Sequence, residues 1–253
     1  MRGYQENFSD HHAEVYFDAD ARARKAGKML CILRDAVSED LSRLHVLDIG
    51  CSTGAMGLAL GEHFGNVTGI DIDYKAVEWA LARPHPAHVT YRVGDAMATG
   101  LEAESVDVVI CSHVYEHVPD ANLMLDEILR VLVPGGACFF AAENRLTIRE
   151  GDYRLPFLSW LPKPLAHVYL RLAGRGNHYY EQLHTLPTLS RMTRAFECHD
   201  YTRRVIADPS RFDATDMVPP GSFKQRAALM LVDLAYPLVP TYLWVLRKPP
   251  HSG

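Results

Sequence analysis

Short apolar runs alternate with helically spaced segments from residue 45 onward, and this alternation predicts the fold. HVLDIG, NVTGID, HVTYRV, VDVVICS and ACFFAAE read as strands; GAMGLALGEHF, YKAVEWALA and NLMLDEILRVL read as helices between them. Near-continuous Val and Ile in the strands mark a parallel sheet covered on both faces. Right-handed crossovers then make it a doubly wound α/β domain. Ahead of the sheet, Val15, Ala19, Ala23, Ala26, Leu30, Leu33 and Val37 fall at helical spacing and predict a leading amphipathic helix. After Glu143 the rhythm breaks. Pro156, Pro162 and Pro164 interrupt an aromatic-rich stretch, LPFLSWLPKPLAHVYLRLAGRG, that reads as an inserted, partly helical cap. LPTLSRMTRAF resumes as a helix, ECHDYTRRVI as a strand, and a final strand lies near TYLWVLRK. The expectation is one α/β domain with a mostly parallel seven-stranded sheet. It divides into a helical lid over 1–40, a core over 41–143, the inserted cap over 144–186 and a helix-and-strand completion over 187–253.

Composition narrows the partners. The 253 residues are 48% hydrophobic and 23% charged, and 26 basic against 31 acidic residues give a net charge of −5. A chain of this balance lacks the basic face that nucleic acid requires, so no nucleic-acid partner is expected. Within 144–204 the balance reverses to ten basic and five acidic residues, which reads either as a solvated face or as a cap favouring an anionic or headgroup-bearing substrate. Five cysteines without a CxxC pair give neither a disulfide framework nor a zinc knuckle and point to a reducing cytoplasm. The opening MRGYQENFSDHH has no apolar run, so no signal peptide is expected. The most membrane-like stretch, residues 227–246, carries Asp233, Pro237 and Pro240. That reads as a buried helix followed by a strand, with peripheral membrane contact as the alternative.

The chemistry concentrates at strand ends. VLDIGCSTGAMG runs a strand into a glycine-bearing turn and then a helix; Gly50 permits the turn, and Gly54 permits close approach of backbone to a ligand. Asp71 follows 21 residues after Gly50, at the end of the second strand, where a carboxylate accepts from both hydroxyls of a ribose. Together they indicate a nucleoside-containing cofactor. The dinucleotide fingerprint G-x-G-x-x-G is not met, because Gly50-Cys51-Ser52-Thr53-Gly54 lacks its second glycine. Asp48 beside the turn suits a ligand with a positive ammonium or sulfonium better than a pyrophosphate.

VLDIGCSTG, Asp71 in GIDID, GDA at 94–96, DVVICSHVYEHVPD at 107–120 and VLVPGG at 131–136 together resemble the S-adenosylmethionine-dependent methyltransferases of the Rossmann type. Over about 45–143 the chain is most similar to small-molecule enzymes related to the ubiquinone-biosynthesis O-methyltransferases. The cap is similar to that of methyltransferases of polysaccharide and glycolipid synthesis. The resemblance implies S-adenosylmethionine as cofactor and a small-molecule, sugar or lipid-linked acceptor, methylated at oxygen. It places the backbone of Gly50, Cys51 and Gly54 around the methionine part of the cofactor with Asp48 near its ammonium. It sets Asp71 on the ribose, Ile72 against adenine, Asp95 on the adenine amino group with Ala96 and Met97 around it, and Ser112 and His113 beside the sulfonium. Tyr16 of the lid is a further candidate contact.

SHVYEHVPD brings His113, Glu116 and His117 to the exit of the fourth strand, where open parallel sheets bind ligands. His113 or His117 is a candidate base for an acceptor hydroxyl, with Glu116 orienting a histidine or the substrate. The same three are ligand types for a divalent ion, but Ser112 and His113 stand where metal-using relatives carry further glutamates, and no metal is expected. Two other readings stay open: an NAD-dependent oxidoreductase, and a non-catalytic methyltransferase-like subunit that binds a partner or membrane through the cap.

Overall fold

A computed structural model describes residues 19–251. Tyr16 and the first turn of the expected leading helix lie outside the described residues. Helix α1 (Ala19–Ala36) buries Ala26, Met29, Leu30, Ile32 and Leu33. The alternation then follows as read: β1 (His45–Ile49), α2 (Ala55–Gly61), β2 (Asn66–Asp71), α3 (Tyr74–Ala82), β3 (Val89–Val93), β4 (Val106–Ser112), α4 (Ala121–Val131) and β5 (Leu132–Glu143). The cap carries a 3-10 turn (Leu158–Trp160) and α5 (Lys163–Leu172). After it come α6 (Leu186–Met192), β6 (Glu197–Asp200), α7 (Thr202–Ala207), α8 (Phe223–Ala235) and β7 (Thr241–Arg247).

The seven strands are ordered β3-β2-β1-β4-β5-β7-β6. β1 to β5 pair in parallel, and β7 inserts antiparallel between β5 and β6. Successive side chains on a strand face opposite sides, so β4 sends Val108 and Ile110 into one core layer and Val109 and Cys111 into the other. α1 and α2 cover the first layer, and α4 covers the second. Side-chain caps fix where helices begin: Asp73 accepts from Lys75 N and Ala76 N at α3, and Asp120 from Asn122 N and Leu123 N at α4. The chain reverses order between β1–β2 and β1–β4, which opens a crevice at the carboxyl ends of these strands.

Two sequence expectations are corrected. ECHDYTRRVI is not one strand: it stops at Asp200, whose Oδ1 accepts from Thr202 N at 2.8 Å, and α7 begins there with Thr202 and Val205 buried. Residues 227–246 do give a helix and then a strand, but the helix is not buried. α8 buries Val232 and leaves Phe223, Met230 and Leu234 exposed, because it packs along one side only. No helix among the described residues is long and apolar enough to cross a membrane.

The loop between β3 and β4 is pinned to α4 through one carboxylate. Glu127 Oε1 accepts from Thr99 N (2.7 Å) and Thr99 Oγ1 (2.6 Å), and Oε2 accepts from Arg130 Nε (2.7 Å). Arg130's hydrogen bonds, aided by Thr99 and opposed by burial, hold this carboxyl at about 2. A depressed pKa means the stabilisation is complete above about pH 4.5 and disappears as pH falls through about 2. Glu127→Ala should cost about 2–3 kcal/mol at neutral pH, read by denaturant unfolding, and the deficit should shrink in acid.

Candidate active site

The crevice holds a cavity of about 400 Å³. Its floor is the turn after β1. Gly50 adopts φ +74° and Gly54 φ +77°, with Ser52 also left-handed at +52°. Gly50 N and Cys51 N both donate to Ile70 O, at 2.8 and 3.0 Å, so the turn folds back over the end of β2. There the Asp71 carboxylate ties the structure together: Oδ2 accepts from Ser52 N (2.8 Å) and Oδ1 from Asp73 N (2.9 Å). Burial pushes this carboxyl up, and the two amide hydrogen bonds work against it.

Gly50, Asp71, Ile72, Asp95, Ala96, Ser112, His113 and His117 all line the cavity. Five other sequence candidates, Asp48, Cys51, Gly54, Met97 and Glu116, are not on that wall. Asp48 is 4% exposed and lies beneath the turn; burial pushes it up to about 7, while the charges of Arg22 and Lys25 pull it down. The Cys51 thiol is buried in the core beneath Gly69, and Ser52 takes its place on the wall. Met97 packs against the α4 side of the core. Gly54 also has a packing requirement of its own. A Cβ there would lie 2.8 Å from Tyr91 Cζ and 2.9 Å from Ala80 Cβ, and Tyr91 Oη donates to its carbonyl at 2.8 Å. Gly54→Ala should therefore destabilise the fold by about 3 kcal/mol, measured by thermal unfolding, with any cofactor effect secondary.

The exit of β4 gathers the polar chemistry. His113, left-handed at φ +56°, donates its backbone N–H to Ala141 O at 2.9 Å and sets Nδ1 3.3 Å from Glu116 Oε1. Glu116 is buried, behind His113 rather than on the wall. Burial pushes its carboxyl up, yet the His113 hydrogen bond and the charges of His113 and His117 outweigh this and hold it below the ordinary value. Glu116 is thus a carboxylate facing an imidazole. His117 Nε2 lies 3.7 Å from Asp152 Oδ2 of the cap.

Several wall residues escaped the sequence reading. Arg22 and Lys25 enter from α1, Asp73 and Gly94 flank the Asp71 end, Val114, Val118 and Pro119 follow β4, and Asp152 comes from the cap. The i, i+3 spacing of Arg22 and Lys25, next to the apolar seam at Ala26, was the available signal. Burial and Arg22 push Lys25 down to about 8, while Glu116 and Asp48 pull it up. The cap's acidic side chains are mostly buried, a placement that its net charge does not show. Asp152 lines the cavity, Glu181 and Glu150 are each 1% exposed, and burial with neighbouring carboxylates raises Glu143 to about 8 and Glu181 to about 7. His113, Glu116 and Glu143 form one group whose ligand atoms lie within 4.8 Å of one another, and His117, Asp152 and Glu181 form a second.

A sequence model of the methyltransferase domain matches residues 47–140. A ubiquinone biosynthesis O-methyltransferase of Xanthomonas oryzae is 31% identical over 176 residues, which cover 67% of this chain and 69% of that one. One from Coxiella burnetii is 33% identical over 141 residues, covering 54% of this chain and 56% of the relative, so the chain matches little more than half of that protein's length. Among solved structures, the cyclase SpnF superposes with a TM-score of 0.56 at 19% identity, over 88% of this chain and 82% of that one, a likeness of fold alone. The chain belongs to the S-adenosylmethionine-dependent methyltransferases of the Rossmann type.

Proposed function

We propose that this protein transfers a methyl group from S-adenosylmethionine to an oxygen of a small-molecule, sugar or lipid-linked acceptor, in the cytoplasm. One observation carries the reading: the Gly50 turn, Asp71, Asp95 and the Ser112–His113 pair, far apart in sequence, line one cavity wall. The cofactor fits the polar atoms present. Asp48 Oδ2, Ser52 Oγ and Ser112 Oγ are buried at or just beneath that wall with no hydrogen-bond partner, and a ligand bearing ammonium and hydroxyl donors satisfies such acceptors. Asp71 would take the ribose, Ile72 and Ala96 the faces of adenine, Asp95 its amino group, and the Gly50 turn the methionine end. Arg22 and Lys25 supply the positive charge that a carboxylate there needs.

Bound in this way, the cofactor supplies an electrophilic methyl group on a sulfonium sulfur. The chain's own task is to hold an acceptor hydroxyl in line with it and to remove the proton. His113 serves as the base. Its Nδ1 faces Glu116, and its partly exposed ring borders the cavity, an arrangement in which a carboxylate orients an imidazole toward substrate. The cap side of the wall, at His117 and Asp152, receives the acceptor. Incubating the protein with labelled S-adenosylmethionine and candidate phenols, sugars and lipid-linked sugars tests the reading. Labelled product supports it; cofactor uptake with no transfer to any class favours the non-catalytic subunit.

A second reading rests on the two histidine–carboxylate groups, whose ligand types suit a divalent ion that polarises the acceptor oxygen. The two readings differ in one measurement. Turnover abolished by EDTA and restored by magnesium supports the ion, whereas turnover indifferent to EDTA supports the His113 base.

A further inference from the structure

The cap exposes a group of large apolar side chains. At the tip of the loop before α5, Ile148 is 64% exposed, and beside it stand Phe157 and Trp160. Phe157 N donates to Ile148 O at 2.7 Å, and the Phe157 and Trp160 rings meet edge-on at 5.1 Å, so the three form one group. Phe157 holds φ +56°, a strained conformation for a bulky side chain. Packing into a core would account for that strain, but this ring is half exposed. α5 adds a second row. Leu165, Val168 and Leu172 follow at i, i+3 and i+7 on its exposed side, while Ala166 and Leu170 fill the cap's interior.

The charges of the cap are sorted by side. Arg149, Arg154, Arg171 and Arg175 are exposed, whereas the acidic Glu150 and Glu181 are buried and Asp152 is turned to the cavity. The cap's exposed side chains therefore include both apolar and cationic groups. A second copy of this chain is a poor occupant, because a two-fold contact would oppose the same guanidinium groups. A bilayer surface with anionic headgroups accepts both features, taking aromatic and aliphatic side chains into the interface and pairing guanidinium groups with phosphate. We propose that the cap's outer face docks on anionic lipid bilayers. The proposal does not depend on the methyl-transfer reading; if both hold, a lipid-linked acceptor reaches the enzyme from the surface on which it sits.

Flotation of the full chain with vesicles tests this. The protein should float with phosphatidylcholine mixed with phosphatidylglycerol, stay behind with phosphatidylcholine alone, and lose binding as salt is raised. R171Q/R175Q should lower partitioning roughly fivefold for each charge removed. L165Q/L172Q should lower it further in high salt, where the apolar contribution remains. Both pairs are exposed, and calorimetry with S-adenosylhomocysteine on each variant shows the fold and cofactor site intact, which separates failure here from failure of the methyl-transfer reading. Absence of flotation with either vesicle, equal flotation with both, or a dimer in solution that L165Q/L172Q dissolves would overturn the proposal, the last by assigning the face to a protein contact.

Discussion

Replacing His113 by asparagine is expected to lower kcat by roughly 100- to 10,000-fold, the usual worth of a positioned general base, without altering S-adenosylhomocysteine affinity. Asparagine is the informative choice because residue 113 is left-handed, a conformation asparagine tolerates and most other residues resist. Folding is then preserved while the proton acceptor disappears. The rate of the variant should climb with pH, as the acceptor hydroxyl ionises unaided. Glu116→Gln removes the carboxylate that faces Nδ1 at 3.3 Å and should lower kcat more than KM, a positioning effect. An H113N variant with parental kcat would strip the histidine of the role.

The second large effect concerns Asp71→Ala. Each Asp71 oxygen accepts one backbone amide, from Ser52 or Asp73, and a carboxylate oxygen has room for a second donor. Two ribose hydroxyls fill those places. Hydrogen bonds to a charged acceptor are worth about 1.5–3 kcal/mol each, so losing both should weaken cofactor binding at least a hundredfold. The amides of Ser52 and Asp73 also lose their partner, and Ser52 is already held at positive φ, so the turn should loosen as well. Asp71→Asn separates the contributions: its single carbonyl retains one acceptor, and affinity should fall between the two. Calorimetry reads both variants. Parental affinity in D71A would remove Asp71 from the ribose.

The features that repeat along the chain were legible in sequence because they follow from local periodicity. Val and Ile runs predicted β1 to β4, and Gly50 with Asp71 predicted where the crevice opens, since a tight turn and an acid at adjacent strand ends leave a spacing in sequence. Features that depend on which way a side chain faces were not. The cap's net positive charge said nothing of where its carboxylates sit: Glu150 and Glu181 are buried and Asp152 borders the cavity, while the arginines are exposed. That Gly54 must also accommodate Tyr91, a residue 37 positions away, leaves no local trace. The edge strand β6 was overextended, because the Asp200 hydrogen bond that begins α7 leaves no periodic trace.

Fold alone does not decide chemistry here, since a cyclase shares this architecture. The account rests on what the cavity holds. Titrating the purified protein with S-adenosylhomocysteine in a calorimeter tests this most directly: one equivalent should bind per chain, with affinity lost in D71A and kept in H113N. A flat trace with this compound and with S-adenosylmethionine, from protein shown to be folded, would contradict the account.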